Sequence, residues 1–577
     1  MGFMAPRPPP FEIDEWEPLS HNRKMKPIAQ DWAMNGFGTP YVVYLLYIVK
    51  LIIFVGAGIA LVSTTAGVGG ISNVGDWWTL PVVYEKFAIY TLVWEILGLG
   101  CGSMPLTFRF LPPIGGFIYF LRPGTMRLAP WPNRVPFTSG TTRTLVDNAL
   151  YLGVVLTGVA LLADNPVTTG KFADELWPGG PAILLGLLVL LGLRDKAAFL
   201  AARPEQYAPI VLIFLFDPGS QVMALKLVML AIWWGAATSK LNQHFPFVVA
   251  VMISNSPLQV VNSLKRRLWR DYPNDMLPSR LASAAAHGGT IIEFGVPAVL
   301  IFSHGGTLTT IALVVMVAFH AHILSTFPLG VPLEWNLWVI YSALVLFGHD
   351  AYAKVGFSSF DSPLLGVLLA IVLVAIPALG NVRPDLISFL PSMRYYAGNW
   401  AASTWLFAKD GAERQLDRAL VKPAPLITDQ LTRLYGEELC RVMMYKGLTF
   451  RAMHHHGRAI TGLLPRAVED LDSYDVREGE LVAGLCLGWN FGDGHLHNEQ
   501  LLNAVQERCN FAPGRLRVIY LESQPIGRPR QHYRILDAAT GLVEEGYIEV
   551  ADMVSRQPWL DDSESPSIPV HPMPTRA

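Results

Sequence analysis

Residues 41–64 carry one charge, Lys50, among twenty-four positions that are otherwise overwhelmingly apolar. About 20 apolar residues in a helix cross the hydrocarbon of a bilayer. Lipid offers the backbone no hydrogen-bond partner, so a stretch of this kind is committed to a membrane helix. The whole chain agrees: 51% of its 577 residues are hydrophobic and only 16% are charged, a balance seldom met in a soluble protein. Its 50 glycines and 43 prolines lie among Leu, Val and Ile, as broken and bundled membrane helices tolerate.

Further apolar segments follow at 83–100, 145–163, 177–193, 208–216, 222–237, 245–261, 282–302, 307–327, 335–347, 364–379 and 386–407. Allowing for short and paired segments, roughly nine to eleven membrane segments are expected. Glu85, Lys86 and Glu95 fall inside the second segment and should face protein or water, because a charge against lipid is costly. Between residues 101 and 136 seven prolines break any long helix, which predicts irregular or interfacial structure. Arg23, Lys24 and Lys26 precede the first span, and Lys265, Arg266, Arg267 and Arg270 cluster in a later loop. Both favour the cytoplasmic side of a plasma (inner) membrane. No signal peptide or lipid anchor is expected at the N-terminus.

After Ala408 charged residues return, and helical patterning mixes with strand patterning. Residues 515–521 and 533–551 read as strands, with a turn at 537–541, and 498–508 as a helix. The expected architecture is a polytopic α-helical membrane bundle with a C-terminal α+β soluble domain: an N-terminal segment 1–40, a membrane domain 41–407, a soluble domain 408–560 and a disordered tail 561–577. Cys101, Cys440, Cys486 and Cys509 are too few and too scattered for a disulfide framework, and none forms a CxxC pair. A formal charge of -2 gives no global basic field, which sets nucleic acid aside as a partner.

Ionisable residues inside apolar segments are the candidates for chemistry. Lys226 and Lys240 share a helix face but stand about 21 Å apart at 1.5 Å per residue, so they cannot work as a pair. Either could snorkel, form an ion pair, or act as a desolvated base. Glu293 needs a partner in its apolar surroundings, and Lys240 is the candidate, as structural cement or as proton machinery. His320 and His322 are separated by one residue and must point in different directions on a helix. In the C-terminal unit His454, His455, His456, His495 and His497 lack the spacing of a metal motif, so they are expected to be surface or capping residues, without a bound metal.

The segment Ile232-Trp-Trp-Gly-Ala-Ala-Thr-Ser-Lys240-Leu241 resembles the lysine-bearing helix of vitamin K-dependent γ-carboxylases and their bacterial HTTM (horizontally transferred transmembrane domain) relatives. Glu293 before Pro297 is similar to the family's Glu-containing helix, and Phe319-His-Ala-His322 to its His-bearing helix. An uncharacterised actinobacterial transmembrane family is similar along the whole length. The carboxylase resemblance implies a site for a reduced, menaquinol-like quinone. Lys240, Glu293 and His320 would be its catalytic residues, and Trp233, Trp234 and His322 would line it. The family's second catalytic histidine has no counterpart in Arg203-Pro-Glu205-Gln206-Tyr207, so carboxylation itself is not carried over. Three functions are expected in order: an intramembrane quinone- or lipid-binding protein, with redox or acid/base chemistry at Lys240; a non-catalytic scaffold that docks partner proteins through the C-terminal domain; and, last, a transporter, for which no internal repeat argues.

Overall fold

The structure, a computed structural model, describes residues 2–100, 115–326, 333–395, 398–557, 559 and 568–574. Six of its helices are long and apolar enough to cross a membrane: Tyr41–Ser63, Leu145–Ala163, Pro218–Ser239, Arg280–Phe302, Gly306–Leu324 and Pro363–Val382. Gly179–Arg194, Phe245–Asn255 and Leu333–Gly348 are shorter apolar helices. Two further segments of the expected set sit inside the bundle. The helix Pro81–Ile96 is buried along nearly its whole length, and the 208–216 segment is the C-terminal part of a buried ten-residue helix, Pro204–Ile213.

Charges on the Pro81–Ile96 helix turn inward, as their cost in lipid requires. Lys86 donates to Thr65 Oγ1 (2.8 Å) and to the carbonyls of Leu162 (2.9 Å) and Asp164 (2.5 Å). Its amine thus satisfies carbonyls at the end of the Leu145–Ala163 helix that have no partner within the helix. Glu85 accepts from the Leu176 N–H at 2.8 Å. Of the proline-rich region, residues 101–114 and with them Cys101 lie outside the described residues. The remainder forms a six-residue helix, Gly115–Phe120, and then an irregular loop. That loop is tied down by Arg127, which donates to the carbonyls of Thr138 (3.0 Å), Ser139 (2.7 Å), Thr142 (3.1 Å) and Arg194 (2.6 Å).

The C-terminal unit is built on a six-stranded antiparallel sheet ordered Tyr474–Glu478, Ala402–Ala408, Leu516–Leu521, Arg530–Asp537, Gly541–Glu549 and His571–Pro572. The helix Glu499–Cys509, capped by Asn498 on the Gln500 N–H (3.0 Å), stands where a helix was expected. Two expectations fail here. The last apolar segment, 386–407, is no membrane helix, because Ala402–Ala408 is an inner strand of this sheet, covered on both faces. A strand buried on both sides has a continuous apolar run and loses the alternation that would mark it. The Pro-rich tail is not wholly without order either, since His571 pairs with Tyr547 and Pro572 with Gly546. Cys440, Cys486 and Cys509 are free thiols.

The N-terminal helix His21–Asn35 docks on the long helix Ile427–Met453 of the C-terminal unit and on Phe245–Asn255. Trp32, 1% exposed, donates to the Val251 carbonyl at 3.2 Å, and Arg441 pairs with Glu17 at 2.8 Å. Lys265, from the basic loop, reaches the Met34 carbonyl at 2.8 Å. These contacts put the N-terminal segment, the basic loop and the C-terminal unit on one membrane face. The Leu145–Ala163 helix starts at that face, where Thr141 donates to Glu507 at 2.7 Å, so the loop that follows it emerges on the other. Single cysteines at the exposed positions Glu15 and Arg418 should therefore react with a membrane-impermeant maleimide from the same side of sealed vesicles. One at Lys171 should react only from the opposite side, and a split between Glu15 and Arg418 would contradict the packing.

Candidate functional site

The Pro218–Ser239 helix begins at Asp217, whose Oδ1 accepts the Gly219 N–H at 3.1 Å. Proline at the first helical position costs no hydrogen bond there. At its other end Lys240 is the C-cap residue. Near that end of the helix Gly235 lets the chain at Met393 approach: a Cβ at 235 would stand 2.7 Å from the Met393 Cβ.

Lys240 and Glu293 meet across the two neighbouring helices. The ammonium lies 2.5 Å from one carboxylate oxygen and 2.6 Å from the other. Lys240 is 3% exposed and Glu293 4%. The ammonium also lies 4.8 Å from the centre of the Phe245 ring, close enough for a cation–π contribution. Beside this pair His320 is held at both nitrogens: its Nε2 accepts the Trp233 indole N–H at 2.9 Å, and its Nδ1 is 2.8 Å from Asn336 Oδ1. Those two contacts fix the tautomer, because an indole only donates and an amide oxygen only accepts. The proton is on Nδ1.

The fold thus assembles Lys240, Glu293, His320 and Trp233 from three helices. Trp234 and His322 stand apart. Trp234 is 40% exposed on the outer surface and donates to the Phe294 carbonyl at 3.0 Å, while His322 is exposed near the end of its helix. Lys226 is held by the carbonyls of Ala353 (3.1 Å) and Val355 (2.8 Å), a structural arrangement remote from Lys240.

A second buried polar group escaped the reading of the sequence. Lys50 pairs with Glu334 at 2.8 Å, and Glu334 also accepts from the Trp94 indole at 3.3 Å. Glu205 accepts from Arg203 Nε at 2.9 Å and from the Tyr395 hydroxyl at 3.1 Å. Glu334 and Asn336 sit on one short helix, Leu333–Ala343, which links this network to His320. Its signal was present in the charges at 50 and 95, but Glu334 and Arg203 fall in segments too short and mixed to stand out.

Four of the five candidate histidines of the C-terminal unit are not surface residues, and the fifth, His495, is half-buried. His454, His455, His456 and His497 are at most 2% exposed. His497 Nδ1 lies 2.7 Å from the Ser403 hydroxyl, and Asp493 makes a turn by accepting the His495 N–H at 3.1 Å. His495 lies 3.2 Å from both oxygens of Glu522; despite the opposing effect of burial, His495 and the Ser523 N–H help hold that carboxyl down at about 2. Among the described residues no group of three or more His, Cys, Asp or Glu is arranged to hold a metal ion.

A bundle of apolar helices carrying buried ion pairs, closed on one side by a sheet-based unit, defines a multi-span transmembrane protein. The chain belongs to the family described as "Transmembrane protein of unknown function (DUF3556)", whose model matches residues 1–572. No curated protein and no solved structure matches it.

Removing one partner of a buried pair leaves an uncompensated charge and typically costs about 3–5 kcal/mol, whereas replacing both by apolar or neutral groups of similar shape is often nearly neutral. Lys240→Met and Glu293→Gln should each lower the thermal unfolding midpoint in detergent strongly. The double variant should recover most of the loss, and additive losses would mean that the two side chains do not interact.

Proposed function

We propose that this protein binds a quinone or a related lipid within the membrane and acts on it by acid/base or redox-linked chemistry at Lys240, with the N-terminus and the C-terminal unit in the cytoplasm. The observation that carries the reading is the bidentate Lys240–Glu293 pair, buried between two helices with His320 beside it. In a low-dielectric site an amine and a carboxylate this close can exchange a proton at modest cost, since the neutral pair avoids the desolvation penalty of the charged one. Lys240 would then be a neutral base toward a hydroxyl of the bound quinol. Glu293 would store the proton, and His320, oriented by Trp233 and Asn336, would accept or return one at Nε2 when the Trp233 indole releases it. Nearby aromatic rings, Phe245 and Phe319 within 4.8 and 6.0 Å of the ammonium, are surfaces on which a quinone ring can stack.

A second reading has its own observation. The ammonium spends its donors on Glu293 and lies against the Phe245 ring, which suits a pair that holds helices together in a scaffold docking proteins through the C-terminal unit. Mass spectrometry of organic extracts from protein purified in mild detergent separates the two. Acid/base function predicts a quinone or a defined lipid that is enriched with wild type and lost from Lys240→Ala. Bulk phospholipid alone in both proteins would leave the scaffold.

A further inference from the structure

The junction between the C-terminal unit and the membrane helices holds a concentration of buried side-chain nitrogens that have no hydrogen-bond partner among the described residues. The helix His455–Ala467, thirteen residues long, starts there, and no side chain caps its first N–H groups. His456 is 0% exposed, and neither of its ring nitrogens has a partner among the described residues. Arg458, also 0% exposed, donates from Nη1 to the Met453 carbonyl at 3.1 Å, which folds its guanidinium back along the start of the helix. Its Nε and Nη2 have no partner among the described residues. The same holds for His454 Nε2 and His455 Nδ1, and for Nε of the buried Arg394. His244 closes the group from the membrane side with both of its nitrogens engaged: Nε2 lies 2.9 Å from His455 Nε2 and 2.9 Å from Gln524 Oε1, and Nδ1 lies 3.1 Å from the Gly398 carbonyl.

Leaving one buried polar group unsatisfied costs about 1–3 kcal/mol, and more when it is charged. Such groups rarely accumulate in one place unless something fills it. The sign of the missing partner follows from the charges. Glu478 and Glu480 are taken by Arg451 and Glu522 faces His495, and among the described residues no carboxylate forms an ion pair with Arg394 or Arg458, on which Glu522, Asp493 and Asp275 act only from beyond ion-pair distance. Burial first, then Arg451 and Arg458, depress the His454 imidazole to about 3, and burial brings Arg458 down to about 9. A guanidinium beside the rings disfavours a metal cation. An open helix start, an arginine fork and the His456 N–H are instead donors of the kind that bind tetrahedral oxyanions, whereas His454 gives its N–H to the Phe450 carbonyl at 2.7 Å.

We propose that this junction is a phosphate-binding site, in which the open start of the His455–Ala467 helix, the Arg458 guanidinium and the His456 imidazole hold the phosphate group of inorganic phosphate or of a phospholipid. Its place favours neither source. His244 follows Lys240 by four residues and precedes the apolar Phe245–Asn255 helix, so a headgroup could enter from the lipid and a free ion from the water side. Binding would fill the junction at which the C-terminal unit meets the membrane helices through the His455–His244 contact.

The test uses the full chain in detergent and phosphate-free buffer. Inorganic phosphate should raise the unfolding midpoint saturably, or one phospholipid per chain should survive detergent exchange that strips bulk lipid; the first result identifies the free ion, the second the headgroup. In Arg458→Gln and His456→Gln the phosphate affinity should fall about tenfold or more, or the retained lipid be lost, while the exposed Arg418→Gln behaves as wild type. Wild-type protein that neither responds to millimolar phosphate nor retains a phospholipid overturns the proposal. So does a stoichiometric metal found by elemental analysis, or a phosphate response unchanged in both variants. The wild-type measurement decides even if the variants fail to fold.

Discussion

A charge inside an apolar bundle is stable only when another group in the bundle answers it, and that constraint orders the membrane half of this protein. Lys240 and Glu293 tie the Pro218–Ser239 helix to Arg280–Phe302 through a bidentate contact, and Lys50 and Glu334 do the same between more distant parts of the chain. Lys86 and Lys226 are answered by carbonyls at chain turns instead. Each contact specifies which helices are neighbours, because apolar faces alone distinguish poorly between partners in lipid. Specificity of this kind also concentrates polar groups, as at Lys240, Glu293 and His320.

That unit is more than an appendage. Its helices and sheet share one continuous core with the membrane helices, in which Trp405, Leu501 and Val518 belong to the same packed cluster as Val83 and Leu188. The N-terminal helix closes the arrangement from the other end of the chain. The junction that holds the histidine and arginine cluster thereby touches His244, four residues beyond Lys240 at the end of its helix.

The bundle was legible in the sequence because a long apolar run has few alternatives. The pairing of Lys240 with Glu293 was legible because each is expensive alone. Segments of intermediate length were less so: Ala402–Ala408 is as apolar as a membrane segment, yet it is a strand, and only its neighbours in the sheet reveal it. His454, His455 and His456 read as surface residues because three polar residues in a row ordinarily are. Their burial depends on Trp400, Phe247 and Arg458, which come from three separate parts of the chain. The docking of the N-terminal helix carries no local signal either, since the surface it covers is assembled from residues near 251, 273 and 445.

The central claim is that Lys240 and Glu293 form an ionised pair within the membrane, poised to exchange a proton. Infrared spectroscopy of the protein in bilayers, taken as the difference between wild type and Glu293→Gln, reads the charge state of that carboxyl group directly. The account predicts that the substitution removes a carboxylate band and that Lys240→Met converts it to the band of a protonated acid. A protonated-acid band already present in wild type and unchanged by Lys240→Met would contradict it.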